Sequence, residues 1–266
     1  MLVKKSLRVT RLFRDNDRSL AVAMDHPRAY NTITALKDAN AVIRTVIGAG
    51  ADAILVPPGT AARAAGALGK GGMWLSVEST LQTVSASVET ALRLGADGIK
   101  IEVYPWTDRD KYPDYSSEES IWYGNLLNAN CMAAECQKWG IPLIGEVVPG
   151  GWRTSEMRTP EKIAAASRVV SEFGVDYVKT FYTGDKESFR EVVDNCQVPV
   201  LVLGGAKVDS DRDVLAMVRD AMDAGASGIM MGRNIWDHDN VAGMTAALAA
   251  IIHEDASVDD AYKLVR

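Results

Sequence analysis

One phrase recurs four times in this chain and constrains its architecture more than any other feature: Gly50-Ala51-Asp52-Ala53-Ile54-Leu55-Val56, Gly95-Ala96-Asp97-Gly98-Ile99-Lys100-Ile101, Gly174-Val175-Asp176-Tyr177-Val178-Lys179 and Gly225-Ala226-Ser227-Gly228-Ile229-Met230-Met231. A glycine ends a helix in the left-handed conformation, a short polar residue turns the chain, and an apolar run then enters a sheet covered on both faces. Strands are expected at Leu20–His26, Ala53–Pro57, Trp74–Glu78, Gly98–Tyr104, Leu143–Val148, Tyr177–Tyr182, Val200–Leu203 and Gly228–Gly232. Amphipathic helical stretches fall between them, among them Ile33–Ile47, Glu119–Trp139, Pro160–Phe173 and Asp211–Ala224, with a last one at Val241–His253. Eight strands alternating with eight helices predict one parallel α/β barrel, a (β/α)8 or TIM barrel, over residues 1–266. A doubly wound open sheet gives a similar local pattern, but the count favours the barrel. The longest insertion, Trp106–Ser117, is expected to cap the mouth after strand four.

The chain is long enough for one large core, with 266 residues of which 47% are hydrophobic. A formal charge of -6 provides no electrostatic footprint for nucleic acid or an anionic membrane, so the expected partner is a small molecule and any anionic ligand needs a local positive site. Cys131, Cys136 and Cys196 form no CxxC pair and are odd in number, which suits a reducing cytoplasm and argues against a disulfide framework or a zinc site. They read as core residues. No run of 18 or more apolar residues occurs, so neither a signal peptide nor a transmembrane helix is expected.

Within this frame Lys179 is the conspicuous residue, because it places a cation in what otherwise reads as a buried strand. Side chains alternate along a strand, so Tyr177, Lys179 and Phe181 share one face and the ammonium is expected among aromatics. Desolvation then favours the free amine, the nucleophile of Schiff-base chemistry. The bland alternative is an edge-strand lysine that snorkels to water. Active sites of barrels lie at the carboxyl ends of the strands, where this sequence offers Asp25 and His26 on strand one, Glu78 on three, Lys100 and Glu102 on four, Glu146 on five and Lys179 on six. Glu78 and Glu102 read as salt bridges sealing the mouth, whereas Asp25, Lys100, Glu146 and Lys179 together imply a polar pocket. Leu203-Gly204-Gly205-Ala206-Lys207 after strand seven and Met231-Gly232-Arg233-Asn234 after strand eight let backbone amides approach an anion. Loops in those two places are the usual phosphate site of this fold.

These residues resemble the class I aldolases of the (β/α)8 fold, the group of archaeal-type fructose-bisphosphate, tagatose-bisphosphate, sulfofructosephosphate and autoinducer-2 enzymes. The likeness runs end to end and is most specific at Val178-Lys179-Thr180-Phe181-Tyr182-Thr183-Gly184-Asp185, Gly204-Gly205-Ala206-Lys207 and Gly232-Arg233-Asn234-Ile235-Trp236, while the tail from Val241 is most similar to the autoinducer-2 enzyme. The resemblance implies that Lys179 is the Schiff-base lysine, that Asp25 is the acid near its imine, and that Gly204, Gly205, Gly232 and Arg233 hold a substrate phosphate. It implies no metal or other cofactor. The tyrosine that serves the archaeal-type enzymes on strand five is replaced here by Val148, and Lys100 with Glu146 is similar to the lysine and glutamate of the tagatose-bisphosphate and sulfofructosephosphate enzymes. Asp25-His26-Pro27-Arg28 stands where several relatives have Asp-His-Gly, so His26 and Arg28 are expected at the substrate, Arg28 at its far end. The expected activity is cleavage or formation of a carbon–carbon bond in a phosphorylated ketose of the dihydroxyacetone phosphate type. In that scheme Lys179 is the nucleophile, Glu146 the proton shuttle, Lys100 a hydrogen-bond donor to a substrate hydroxyl, and Asp25 the residue that orients hydroxyls at the breaking bond. The rival readings are acyl transfer to a thiol such as coenzyme A and a non-catalytic sensor on the same fold. Apolar helical faces such as Val241–Ile252 make a homo-oligomer the expected state.

Overall fold

The computed structural model describes residues 7–28, 33–78, 80–106, 118–208 and 210–266, with the side chains of Arg28 and of residues 118–125 outside the description. Of the insertion expected over the mouth, Trp106–Ser117, all but Trp106 lies outside it too. Among the described residues eight parallel strands close into a barrel in sequence order. They are β1 (Ser19–Ala23), β2 (Ala53–Val56), β3 (Gly72–Ser76), β4 (Gly98–Val103), β5 (Leu143–Val147), β6 (Tyr177–Phe181), β7 (Val200–Leu203) and β8 (Gly228–Met231). Helices α1 (Val9–Leu12), α2 (Ala39–Gly48), α3 (Pro58–Leu68), α4 (Val84–Arg93), α5 (Glu118–Trp139), α6 (Pro160–Glu172), α7 (Lys186–Asn195), α8 (Asp211–Asp223), α9 (Arg233–Trp236), α10 (Val241–Glu254) and α11 (Val258–Val265) complete the fold. The first long helix starts later than its apolar spacing suggests, because Asp38 caps it through Ala41 N and residues Thr34–Leu36 form a separate 3-10 turn.

The recurring phrase does two jobs. Gly50, Gly95, Gly174 and Gly225 all have φ between 75° and 108°, which stops α2, α4, α6 and α8. The aspartate that follows clamps the start of an adjacent strand. Asp52 N donates to Leu20 O at 2.9 Å while Asp52 Oδ2 accepts from Leu20 N at 2.6 Å. Asp97 repeats the pair on Met73 at 2.8 and 3.0 Å, and Asp176 on Leu143 at 2.9 and 2.9 Å. Ser227 keeps only the backbone half, donating to Val200 O at 2.8 Å. Burial raises the carboxyl pKa of Asp97 and Asp176, and the hydrogen bonds from these strand amides oppose that rise.

Below the strand ends the barrel is filled with apolar side chains: Leu12, Phe13, Ala21, Ala23, Ala53, Leu55, Trp74, Ile144, Tyr177, Leu201 and Met230. Phe13, just past α1, stacks on Tyr177 with centroids 4.6 Å apart, and both pack on the edges of Trp74. Gly98 makes room for that indole, since a Cβ there would lie 2.4 Å from the Trp74 ring. This plug closes the lower barrel, so the polar residues above it face only the upper mouth. Cys136 is buried and Cys196 half-buried, but Cys131 is exposed on α5, which corrects its reading as a core residue. No described helix is long and apolar enough to cross a membrane.

Candidate active site

Above the plug, pairing brings three charged residues onto one rung: Glu102 of β4 pairs with Glu146 of β5, and Glu146 with Lys179 of β6. Strand alternation turns all three inward. Lys100 starts two residues lower on β4 and rises into the rung from beneath, fully buried. Its ammonium meets Glu146 Oε2 at 2.7 Å, Asp25 Oδ2 at 3.0 Å and Glu102 Oε1 at 3.3 Å. Lys179 Nζ lies 2.6 Å from the other oxygen of Glu146, with only 5% of its side chain exposed. One glutamate thus bridges two buried lysines. Ser76 of β3 fixes Asp25 from the far side, its hydroxyl donating to Oδ2 at 2.8 Å.

The environment of Lys179 differs from the sequence expectation in kind. Tyr177 belongs to the apolar plug below and Phe181 to the mouth above, so the ammonium is held by a carboxylate rather than by aromatic rings. Glu102 forms the salt bridge expected of it, with Lys100, and makes further contacts at the mouth. Its Oε1 reaches Lys100, and its Oε2 accepts from the Tyr104 hydroxyl and from Trp152 Nε1, the latter at 3.0 Å. Glu78 is exposed at the end of β3, on a cavity of about 370 Å³ lined by Pro57, Pro58 and Ser76 among others. The ammonium of Lys100 has three N–H donors and lies within ion-pair distance of three carboxylates.

The two glycine loops come together beside this cluster. Arg233 Nη2 donates to Gly205 O at 2.5 Å, and Asn234 Nδ2 donates to Gly204 O at 3.1 Å and to Ala206 O at 3.4 Å. Gly205 has φ 58°, and Gly232 passes so near β1 that a Cβ would lie 2.5 Å from Ala23 O and 2.7 Å from the His26 ring. The Nε of Arg233 is buried and has no hydrogen-bond partner among the described residues. His26 stands between the loops and the lysines, edge-on to Trp236 at 5.5 Å. Burial lowers its imidazole pKa from the ordinary 6.5; Asp25 opposes that, and the charges of Lys179 and Arg233 add to it. Arg28 lies in the 3-10 turn His26–Arg28, and the position of its side chain is outside the description. Among the described residues no group of three or more His, Cys, Asp or Glu is placed to hold a metal ion.

Sequence reasoning had not singled out Ser76, Tyr104, Trp152 and Asn234. Strand parity carries a signal for Ser76, which is two residues from Glu78, and for Tyr104, two residues from Glu102. Asn234 stands in the Gly232–Trp236 motif without a role of its own there, and Trp152 has no comparable signal, because its contact depends on a loop path.

The model of the DeoC/LacD family aldolases matches residues 19–238. The 2-amino-3,7-dideoxy-D-threo-hept-6-ulosonate synthase of Halobacterium salinarum is 34% identical over 265 residues, covering 97% of this chain and 94% of that one. The 2-amino-4,5-dihydroxy-6-oxo-7-(phosphonooxy)heptanoate synthase of Streptomyces griseus is 30% identical over 172 residues, 65% of this chain and 58% of its own. A Schiff base forming fructose-1,6-bisphosphate aldolase superposes with a TM-score of 0.77 at 25% identity, covering 92% of this chain and 98% of that one. An archaeal fructose-1,6-bisphosphate aldolase, with its catalytic lysine covalently bound as the carbinolamine intermediate, gives 0.77 at 26% identity with the same coverages.

Proposed function

The chain belongs to the DeoC/LacD family of aldolases, and from that premise we propose that it forms or cleaves a carbon–carbon bond in a phosphorylated ketose through an imine on Lys179. The observation that carries this reading is the single carboxylate of Glu146 shared by two buried lysines, at 2.6 Å from Lys179 and 2.7 Å from Lys100. Glu146 takes a proton from the Lys179 ammonium, which frees the amine to attack the ketone carbonyl, and returns a proton to the carbinolamine hydroxyl as it leaves as water. The iminium then draws the electrons of the breaking carbon–carbon bond. Lys100, within ion-pair distance of three carboxylates, holds Glu146 and Asp25 in place, and Asp25 meets the substrate hydroxyls from just past β1.

The substrate phosphate lies in the loops around Gly204, Gly205 and Gly232, with Arg233 beside it and His26 between phosphate and imine. The chemistry named for the Streptomyces griseus relative supports a phosphorylated ketone, since its product has a ketone next to a phosphonooxy carbon and a hydroxyl-bearing chain on the other side. Which aldehyde completes the reaction is a matter for the far end of the site, where Arg28 is the residue we assign.

Dihydroxyacetone phosphate is the smallest ketone of this class. Borohydride should reduce its imine to a stable secondary amine, intact mass should rise by one adduct, and peptide mapping should place it on Lys179. Lys179→Met should abolish the adduct, and Glu146→Gln should slow it without moving it. An adduct on Lys100, or none with this or longer ketose phosphates, would overturn the assignment.

A further inference from the structure

The proton shuttle just described accounts for Glu146 but leaves Glu102 and Tyr104 without a task, although both share the inward parity of the site. Tyr104 follows β4 with the same inward parity as Lys100 and Glu102. It stands one step past the Val103–Val147 pair, beside Val148, whose amide donates to Val103 O at 3.0 Å. It is therefore one rung above Glu102, Glu146 and Lys179. Its hydroxyl donates to Glu102 Oε2, Trp152 Nε1 fixes the same oxygen at 3.0 Å, and Glu102 Oε1 lies 3.3 Å from Lys100. Unlike fully buried Lys100, Glu102 has 19% of its side chain exposed to the mouth, where substrate enters.

We propose that Tyr104 and Glu102 form a phenol–carboxylate dyad that takes the proton of the substrate hydroxyl when the carbon–carbon bond breaks and returns it to the enamine carbon. This rests on the imine chemistry proposed above. In the cleavage step the hydroxyl proton passes to the phenol oxygen of Tyr104, and the phenol proton passes to Glu102 Oε2. The O–H bonding pair becomes the second bond of the departing aldehyde carbonyl, and the carbon–carbon pair enters the iminium to give the enamine. The reverse shift delivers a proton to the enamine carbon and regenerates the iminium. The other carboxylates are less suited. Glu146 has an oxygen on each lysine, and Asp25 Oδ2 is held by both Ser76 and Lys100. Val148, beside Tyr104, is apolar.

The dyad can be tested without the natural aldehyde, because microscopic reversibility requires the same groups to remove a proton from the imine of dihydroxyacetone phosphate. Wild-type protein should therefore exchange a carbinol hydrogen of this ketone for deuterium in heavy water, followed by NMR. Tyr104→Phe should be trapped by borohydride on Lys179 at a rate close to wild type, while deuterium exchange falls by about 10²-fold or more, the usual share of a general acid–base. Glu102→Gln should show the same split, and the double variant should be no slower than either single one, because the pair acts as a unit; two merely structural effects would multiply. Exchange at the wild-type rate in Tyr104→Phe and Glu102→Gln would overturn the dyad, and its loss in His26→Gln instead would give the role to the imidazole. If Tyr104→Phe loses trapping as well, Glu102→Gln decides, since it keeps the phenol in place. A wild-type protein that forms no adduct would refute the imine reading itself, a result separable from trapping with unaffected exchange.

Discussion

Replacing Lys100 with methionine removes one charge and nearly no volume from the centre of the site. The lysine is fully buried and lies 2.7, 3.0 and 3.3 Å from three carboxylates. Each contact is worth several kcal/mol of gross attraction at the effective dielectric of protein interiors, but the net figure is set by what remains after the loss. Here the remainder is three carboxylates facing one ammonium, that of Lys179, with no room to rehydrate beneath the rung. Removing one partner of a buried ion pair costs about 3 to 5 kcal/mol, and this range applies because Lys100 has no exposed surface to screen it. A chain of this size loses about 2 to 4 °C of melting temperature per kcal/mol, so Lys100→Met should melt about 6 to 20 °C lower. Urea unfolding followed by tryptophan fluorescence should give a lower midpoint with an unchanged slope. Adding Glu102→Gln should recover part of the loss by discharging one of the stranded carboxylates, a coupling of about 0.5 to 3 kcal/mol. A loss under about 1 kcal/mol, typical of a surface pair, would refute the view that this ammonium holds the site together.

Arg233→Ala should chiefly raise KM for a phosphorylated substrate, by roughly 10- to 150-fold, which corresponds to losing a charge-assisted hydrogen bond of about 1.5 to 3 kcal/mol; an unchanged KM would remove Arg233 from the phosphate site. His26, whose pKa is lowered first by burial, stays neutral in the folded protein below its ordinary 6.5 while the unfolded chain takes up a proton. Its contribution to stability is therefore complete above 6.5 and is lost as the pH falls from there toward the folded value, and His26→Gln should flatten that part of a plot of urea midpoint against pH. Inorganic phosphate bound beside Arg233 should move the His26 titration upward in an NMR experiment, and a titration unaffected by phosphate would place the anion elsewhere.

The barrel was legible because its punctuation is local. Glycine followed by alanine or valine and a short polar residue marks the ends of α2, α4, α6 and α8, and the four left-handed glycines lie where that spacing places them. The position of Lys179 on β6 followed from that phrase, and its inward direction from period-two alternation. What could not be read was register. Glu78 and Glu102 look alike in sequence, each a glutamate near the carboxyl end of a strand and on its inward parity. One is exposed on β3, while the other pairs with Glu146 and rests on Lys100. That difference comes from the stagger between strands more than 40 residues apart in sequence, such as Glu102 and Glu146. The aspartate clamps on Leu20, Met73 and Leu143 were hidden for the same reason, since a turn residue does not announce which neighbouring strand its side chain will meet.

The charge count of the site ties the two carboxylate roles together. Two ammonium groups against three carboxylates leave the cluster of Lys100, Lys179, Asp25, Glu102 and Glu146 with one excess negative charge. An iminium on Lys179 preserves that count, because it is cationic like the ammonium it replaces. Bond cleavage would disturb it: the nitrogen becomes neutral as electrons flow into the enamine, and a proton lost to water would leave two uncompensated negative charges in a buried pocket. A proton retained on Glu102 cancels one of those charges at the moment the positive charge disappears. The pocket then keeps the same net charge in the iminium and enamine states, so Lys100 need not reorganise between them. Burial makes that economy matter, since charge imbalance costs most where water cannot screen it. A carboxylate within the network is therefore a better resting place for the proton than the solvent, and Glu102, reached through Tyr104 from the mouth, is the member of the cluster whose discharge leaves both lysines with their shared partner, Glu146, intact.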